Sequence, residues 1–286
     1  MTRRSLLDIF VDALFRLYSV PIVQRISRPL IDVLYRAYER FLYNQVVRCG
    51  IIPRHVAIIP DGNRRWARRR GFEVWKGHEH GYERIKQVLE WLYEIGVKVV
   101  TVYALSYENC MRRPKEELEK LFELARKGLR ELIEGEIVDR YRVRVKVIGR
   151  LALVPPDIRE LAKKLEEKTQ HYNERFLNIA ICYGGRQDIV DAVRKIVRDV
   201  LEGRMKLEEI SEESIVKALS TGHLGSDGDP DLVIRTSGEM RISNFLLWQI
   251  AYSELYFCDV YWPEFRKIDL LRAIRSYQRR ERRFGR

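Results

Sequence analysis

The sequence predicts a layered α/β fold built on a mostly parallel sheet, and three observations carry that expectation. Strand-like and helix-like segments alternate beyond residue 54. Most of the strand candidates are continuous apolar runs, as expected where helices cover both faces of a sheet. Polar and glycine-rich tetrads follow several of those runs, where ligands bind in open parallel sheets.

In chain order, the strand candidates are 55–60, 97–105 (VKVVTVYAL), 142–148, 177–182 (LNIAIC), 231–235 (DLVIR) and 255–261 (LYFCDVY). Helical patterns fall at 79–95, 115–134, 156–173, 187–202, 211–220 and 267–280. The segment RVRVKVIG, from Arg142 to Gly149, alternates basic and apolar residues, which suggests a strand near an edge with one wet face. No internal repeat, low-complexity tract or long linker interrupts the pattern.

The first 54 residues differ. They carry nine arginines against Asp8, Asp12, Asp32 and Glu39, a net charge of +5, and no glycine before Gly50. Polar residues at Ser5, Asp8, Asp12, Arg16 and Ser19 leave an apolar face that includes Leu6, Phe10, Leu14 and Leu17, so an amphipathic helix is expected. Pro21 and Pro29 interrupt it, and a second helix is expected around Ile31 to Val47. Neither offers the roughly 20 uncharged residues of a membrane span. Two readings stand: a helical hairpin packed on the domain or a dimer partner, or a surface anchor on anionic lipid. The division is therefore a helical extension over 1–54 and a single α/β domain over 55–286.

Composition narrows the partners. The 286 residues suffice for a substantial core, 46% are hydrophobic, and basic residues exceed acidic ones by 12. A pI near 9.6 favours an anionic partner: nucleic acid, anionic lipid or a phosphorylated small molecule. Cys49, Cys110, Cys182 and Cys258 form no CxxC pair, so free thiols in a reducing cytosol are expected. No cleavable signal peptide is evident, and a cytoplasmic protein, with or without peripheral membrane contact, is expected.

After the first strand comes PDGNRRWARRR, where five of the seven residues following Asn63 are arginine. Gly62 lets backbone approach a ligand, Asn63 is placed to cap a helix, and Arg65 beside a helix start suits a phosphate. Asp61 would repel that phosphate unless Mg2+ bridged the two. The alternative is an ordinary Asp-Gly-Asn turn before a basic helix. Further on, Arg235 and Arg241 flank a glycine turn with Ser243 nearby, two guanidinium forks and a hydroxyl suited to diphosphate. Glu254 sits within LLWQIAYSELYF and is neutralised, paired with arginine or a metal ligand. No GxxxxGK loop is present. Asp227, Asp229 and Asp231 lack the other ligands of a calcium loop and read as a solvated turn, and His78 and His80 point apart on a helix.

These blocks together resemble the cis-prenyltransferases of the undecaprenyl diphosphate synthase family. The match runs from His55 onward through HVAIIPDGNRRWA, GHEHG, TVYALSYEN, RRPKEEL, NIAICYGGRQDIVDAV, DPDLVIRTSGEMRISNFLLWQIAYSELYF, WPEF and RRFG. The resemblance implies a homodimer, a six-stranded mostly parallel sheet and a long apolar tunnel. It implies Mg2+-dependent condensation of isopentenyl diphosphate onto an allylic diphosphate, giving a polyprenyl diphosphate used as a lipid-carrier precursor in glycan synthesis. Asp61 would hold the metal, with Glu254 as a second metal-associated carboxylate. Gly62, Asn63, Arg64, Arg65, Trp66 and His78 match the allylic diphosphate pocket, and Ser106, Glu108, Asn109, Arg112 and Arg113 match a segment that closes over substrate. Arg235, Arg241 and Ser243 match the isopentenyl diphosphate site, and Arg283 and Gly285 match a tail that reaches a neighbouring subunit. Asp61, Asn109 with Ser106, and diphosphate itself are the alternatives for taking the proton.

Several positions depart from the family pattern. Val74 stands where an arginine is frequent, so Lys76 is expected to supply the charge. Met240 replaces a histidine, Cys182 an asparagine and Cys110 an aromatic residue, and an extra residue leaves Arg112 and Arg113 interchangeable. Two rivals remain. An RNA-binding protein explains the pI but not the Glu254 environment, and no RNA platform of aromatics is present. A non-catalytic subunit of a heteromeric prenyltransferase would not be expected to keep Asp61, Arg65, Arg235, Arg241 and Glu254 together.

Overall fold

The structure, a computed structural model, describes residues 21–280, with side chains from residue 33 onward. These fall into two compact units, one ending at Cys49 and one beginning at Gly50. The first is a single helix, α1 (Pro21–Cys49). It runs through Pro29, contrary to the expected break. A proline removes one backbone hydrogen bond, but extending an existing helix is far easier than nucleating a second one. Val33, Leu34 and Phe41 are exposed on it, among exposed Arg36, Arg40 and Arg48. The expected helix before Pro21 lies outside the described residues. Among those described, no helix is long and apolar enough to cross a membrane.

The second unit is a six-stranded sheet with helices between the strands. Its elements are β1 (His55–Ile59), α2 (Asn63–Arg69), α3 (Val74–Ile95), β2 (Val99–Ser106), α4 (Tyr107–Arg112) and α5 (Lys115–Glu134). After α6 (Ile137–Arg140) follow β3 (Val143–Ile148), α7 (Pro156–Thr169), β4 (Arg175–Tyr183), α8 (Gly185–Leu201) and α9 (Glu212–Ala218). β5 (Leu232–Arg235), β6 (Glu254–Phe257) and α10 (Lys267–Gln278) complete the unit. Every strand pairing is parallel, in the order β3-β4-β2-β1-β5-β6. All five β1 residues are buried, which is why HVAII reads as an unbroken apolar run. β3 lies at an edge and alternates buried with half-buried residues, as its basic alternation predicts.

The chain builds β2 and β4 on one side of β1, then β5 and β6 on the other. The order therefore reverses at β1, and the crevice at its carboxyl end is where such a fold places a ligand. Asp61 lies two residues beyond that end.

The opposite end of the sheet is tied by polar groups. Asp231, expected in a solvated turn, accepts from the backbone N–H groups of Arg54 (2.6 Å) and His55 (3.1 Å), and Asp227 pairs with Arg54. His55 is buried between the Asp227 carbonyl (3.0 Å) and Thr101 Oγ1 (2.8 Å). Burial lowers its pKa from 6.5 to about 4, against the carbonyl bond and the Asp227 and Asp231 charges, which raise it. The unfolded chain then binds a proton that the native state refuses, so stability falls as pH drops from about 6.5 toward about 4. Such a shift corresponds to roughly 3 kcal/mol. The His55 ring resonances should show no titration between pH 7 and 5 while the urea midpoint declines. A ring that titrates near 6.5 would remove this source of acid sensitivity.

Two cysteines also meet in this unit. Cys110 of α4 is bonded to Cys182 of β4, with Cα atoms 5.6 Å apart, which corrects the expectation of free thiols for this pair. They are 72 residues apart in sequence, but β2 runs beside β4 and leads directly into α4. Among the described residues, Cys49 and Cys258 are free.

Candidate active site at the carboxyl ends of the strands

Asp61 anchors the site. Its Oδ1 accepts from the Gly62 N–H at 2.6 Å, and its Oδ2 accepts from Arg235 Nη2 at 2.7 Å. Thr236 secures the backbone, donating its hydroxyl to the Asp61 carbonyl at 2.7 Å. Gly62 has φ of +99°, and a Cβ there would meet Ser237 and Tyr261 side-chain carbons at 2.7 Å. Only glycine satisfies both constraints. Gly62, rather than Asn63, occupies the cap position of α2. The Asn63 amide turns back to the Pro60 carbonyl at 3.2 Å, and its buried Oδ1 has no partner. That oxygen points at Gly81, where a Cβ would lie 2.3 Å away, so the glycines of GHEHG allow α2 and α3 to pack closely.

On one side of Asp61 lies a guanidinium fork. Arg235 is 4% exposed and its Nη1 donates to Ser243 Oγ at 2.7 Å and to the Arg241 carbonyl. Arg65 donates to Ser237 Oγ at 2.6 Å and pairs with Glu239 at 2.8 Å, while Glu239 also pairs with Arg241. The loop holding these groups is strained. Among the described residues, six non-glycines have positive φ, and Cys182, Ser237, Ser243, Asn244 and Leu246 are five of them, all in segments around this site.

Across the mouth stands a second cationic group. Glu117 of α5 pairs with Arg113, lies 3.5 Å from Arg64 and stands 3.6 Å from His78 Nε2. Burial, and then the Arg113 charge, lower the His78 pKa to about 4, so His78 is neutral and accepts from Arg113 Nη1 at 3.3 Å. This decides between the two adjacent arginines: Arg113 reaches the site, whereas Arg112 is exposed at the end of α4. Ser106 caps α4, accepting from the Asn109 N–H at 3.1 Å, and Glu108 accepts from Asn244 at 2.7 Å. Met240 stays exposed.

Behind this charged mouth runs a cavity of about 1370 Å³. Asp61, Arg65, Arg113, Arg235 and Ser243 line one part, and Ile85, Leu89, Leu129, Leu132 and Leu177 line another. Helix α5 supplies much of the wall.

Besides Arg112, three expected site residues are not brought to this mouth. Trp66 is buried under His80 and Phe72 and donates to Glu264 at 3.0 Å, away from the cavity lining. Lys76 pairs with Glu79 at 2.9 Å and lies 4.1 Å from the Trp75 ring centroid. Two residues before His78 on one helix, it faces about 200° away. Glu254 opens β6 level with Leu232 and Val56, which places it roughly 16 Å along the strands from Asp61, and it pairs with Arg280. It cannot share an ion with Asp61 of its own chain. Arg283 and Gly285 lie outside the described residues. Sequence reasoning missed Glu239, which also lines the cavity, and Glu117, which holds Arg113 and His78; Arg186, in the polar tetrad after the fourth strand, lines the cavity too. Their signal was position: each stands within a block that also holds an expected site residue or a strand end.

A charged mouth for an anionic head, opening onto space for a long apolar tail, defines an enzyme of prenyl diphosphate chemistry. Residues 59–285 match the family described as "Putative undecaprenyl diphosphate synthase". A tritrans,polycis-undecaprenyl-diphosphate synthase (geranylgeranyl-diphosphate specific) of Methanopyrus kandleri is 54% identical over 93% of this chain and 96% of its own. The Pyrococcus furiosus protein of that name is 53% identical over 93% of this chain and 98% of its own. Lavandulyl diphosphate synthase from Lavandula x intermedia, solved with dimethylallyl diphosphate, superposes with a TM-score of 0.78 at 36% identity, covering 82% of this chain and 99% of that one. The chain belongs to the undecaprenyl diphosphate synthase family and is a prenyltransferase.

Proposed function

We propose that the protein condenses isopentenyl diphosphate successively onto an allylic diphosphate, forming cis double bonds and a polyprenyl diphosphate. One observation carries this reading: the arginine-rich mouth around Asp61 opens into the same cavity whose walls are apolar. The names of the relatives support geranylgeranyl diphosphate as primer and undecaprenyl diphosphate as product, and a role of that product as a lipid-carrier precursor in glycan synthesis is part of the proposal.

Arg64, His78 and Arg113, with Gly62, Asn63 and Arg65, would hold the allylic diphosphate. Arg235, Arg241 and Ser243 would hold isopentenyl diphosphate. Both sets are gathered around carboxylates, Glu117 and Glu239, that a diphosphate would displace. As the allylic C–O bond breaks, negative charge grows on the leaving oxygen, and preplaced guanidinium groups stabilise it. The isopentenyl double bond attacks the allylic carbon, and loss of a proton completes the step. Ser106, Asn109, Glu108 and Asp61 line the cavity and would orient the isopentenyl group, with Asp61, Asn109 together with Ser106, or diphosphate itself taking the proton.

Mg2+ fits Asp61 as a substrate-borne ion. Among the described residues no group of three His, Cys, Asp or Glu side chains is placed to hold an ion, and Mg2+ is typically held by one or two carboxylates plus substrate phosphates. When bound, it would neutralise charge on the departing diphosphate. Purified protein with Mg2+, isopentenyl diphosphate and geranylgeranyl diphosphate should yield long polyprenyl diphosphates, and a chelator should stop the reaction. A single condensation, or none with any allylic primer, would overturn the elongation reading.

The enzyme is further proposed to act as a homodimer at a membrane surface. Val190, Val193, Val197 and Leu201 form an exposed stripe on α8 that suits a second copy. Exposed Phe41, Leu34 and Val33 among arginines on α1 suit an anionic bilayer. Deleting residues 1–48 should weaken salt-sensitive binding to anionic vesicles while sedimentation still shows a dimer. Unchanged vesicle binding with dissociated subunits would assign the segment to assembly instead.

A further inference from the structure

Apart from its charged mouth, the cavity has an apolar body, so polar groups on the body wall need a physical reason. Helices α3 and α5 both contribute to that wall. At one level its lining is interrupted by Tyr82 and Lys86 of α3 and by Gly128 and Glu131 of α5. Tyr82 donates its hydroxyl to Glu131 Oε2 at 2.6 Å, and Lys86 Nζ donates to the same oxygen at 3.0 Å. The Tyr82 ring rests on Gly128, where an added Cβ would meet its Cε2 at 3.0 Å. The ammonium groups of Lys86 and Lys127 stand 5.0 and 5.3 Å from the ring centroid.

A tyrosine at the wall of a lipid-sized cavity is ordinarily free to change rotamer as a flexible chain pushes past. This one is pinned. Burial, and then Glu131, hold its hydroxyl protonated well above the usual phenol range, so it remains a donor at any working pH. Swinging the ring aside would break a hydrogen bond to a carboxylate. Tyr82 lies one turn beyond His78, roughly 6 Å along α3, whereas Glu131 lies about 21 Å along α5 from Glu117. The bridge therefore sits beyond the charged mouth, between the two helices past which a lengthening tail would advance.

We propose that Tyr82, seated on Gly128 and held by Glu131 and Lys86, is the constriction that a growing prenyl tail must pass, and that it sets product length. The inference rests on the elongation reading above. Removing the ring should admit longer tails. Adding a methyl at Gly128 should shorten them, because either the methyl or the displaced ring then occupies cavity space.

The experiment compares product distributions of wild type, Tyr82→Ala, Gly128→Ala and the double variant, with one primer and isopentenyl diphosphate. A methyl-sized change in an apolar pocket typically discriminates by about 10-fold or more. The ratio of longer to shorter products should therefore rise about 10-fold in Tyr82→Ala and fall similarly in Gly128→Ala. The double variant should move back toward wild type, since the methyl then has room. Tyr82→Phe, which keeps the ring but frees it, should broaden the distribution toward longer chains and serves if Tyr82→Ala fails to fold. Unchanged distributions in folded, active variants, with losses only in rate or Tm, would show a mere helix tie and overturn the proposal. A wild type that fails to elongate would overturn the elongation reading itself and this inference with it.

Discussion

Asp61→Asn is expected to lower turnover on the order of 10³-fold, the scale at which preorganised electrostatic groups act, with the fold intact. Asparagine is the informative substitution because it keeps an oxygen for Arg235 Nη2, now 2.7 Å from the carboxylate. Alanine would leave a buried guanidinium without its counter-charge, which costs about 3–5 kcal/mol and mixes folding with catalysis. The measurement is single-turnover condensation at saturating Mg2+, alongside thermal unfolding. A rate near wild type would remove Asp61 from the proposed chemistry. The same variant tests the tail. If Arg283 reaches the partner's site, inactive Asp61→Asn and Arg283→Ala subunits should regain activity when mixed, because one site of each mixed dimer then carries neither lesion. Mixed dimers that form and stay inactive would assign each tail to its own subunit.

Arg235→Lys should produce the second large loss. The Arg235 guanidinium joins Asp61 at 2.7 Å, Ser243 at 2.7 Å and the Arg241 carbonyl, so one planar group sets three parts of the proposed isopentenyl diphosphate site. Its buried Nε has no partner, so the fork is placed by its terminal nitrogens alone. A lysine keeps the charge but cannot span these acceptors. Losing one or two charge-assisted bonds at roughly 1.5–3 kcal/mol each predicts a fall in kcat/KM on the order of 10²-fold. The KM for isopentenyl diphosphate should rise more than that for the primer. Equal changes for both substrates, or a lowered Tm with unaltered kinetics, would place Arg235 in the scaffold rather than in the site.

Much of this molecule was legible beforehand, for identifiable reasons. Parallel strands covered on both faces must be apolar throughout, so HVAII, VKVVTVYAL and LNIAIC announced themselves without alternation. Ligand contacts at strand ends require polar residues at or just after such runs, and Asp61, Ser106 and Arg235 were found there. Trp66 and Lys76 were misplaced because a motif does not say which way its helix turns. That is decided by Asn63 packing against Gly81, which points His78 inward and sends Lys76 to the outside. Glu254 lies away from Asp61 of its own chain for a different reason. Its position depends on strand register, and β6 pairs with β5 starting at Leu232, far from the carboxyl end.

The sequence by itself determined the fold class, the family and most of the groups that would meet diphosphate, because apolar periodicity and motif chemistry are local properties of the chain. Only the tertiary structure decided which of Arg112 and Arg113 enters the mouth, that Glu117 and Glu239 hold the arginines, and that Cys110 meets Cys182. It alone placed Tyr82 across the cavity wall on Gly128. These are contacts between segments distant in the chain, and such contacts are set by helix rotation, strand register and packing. No local pattern encodes them.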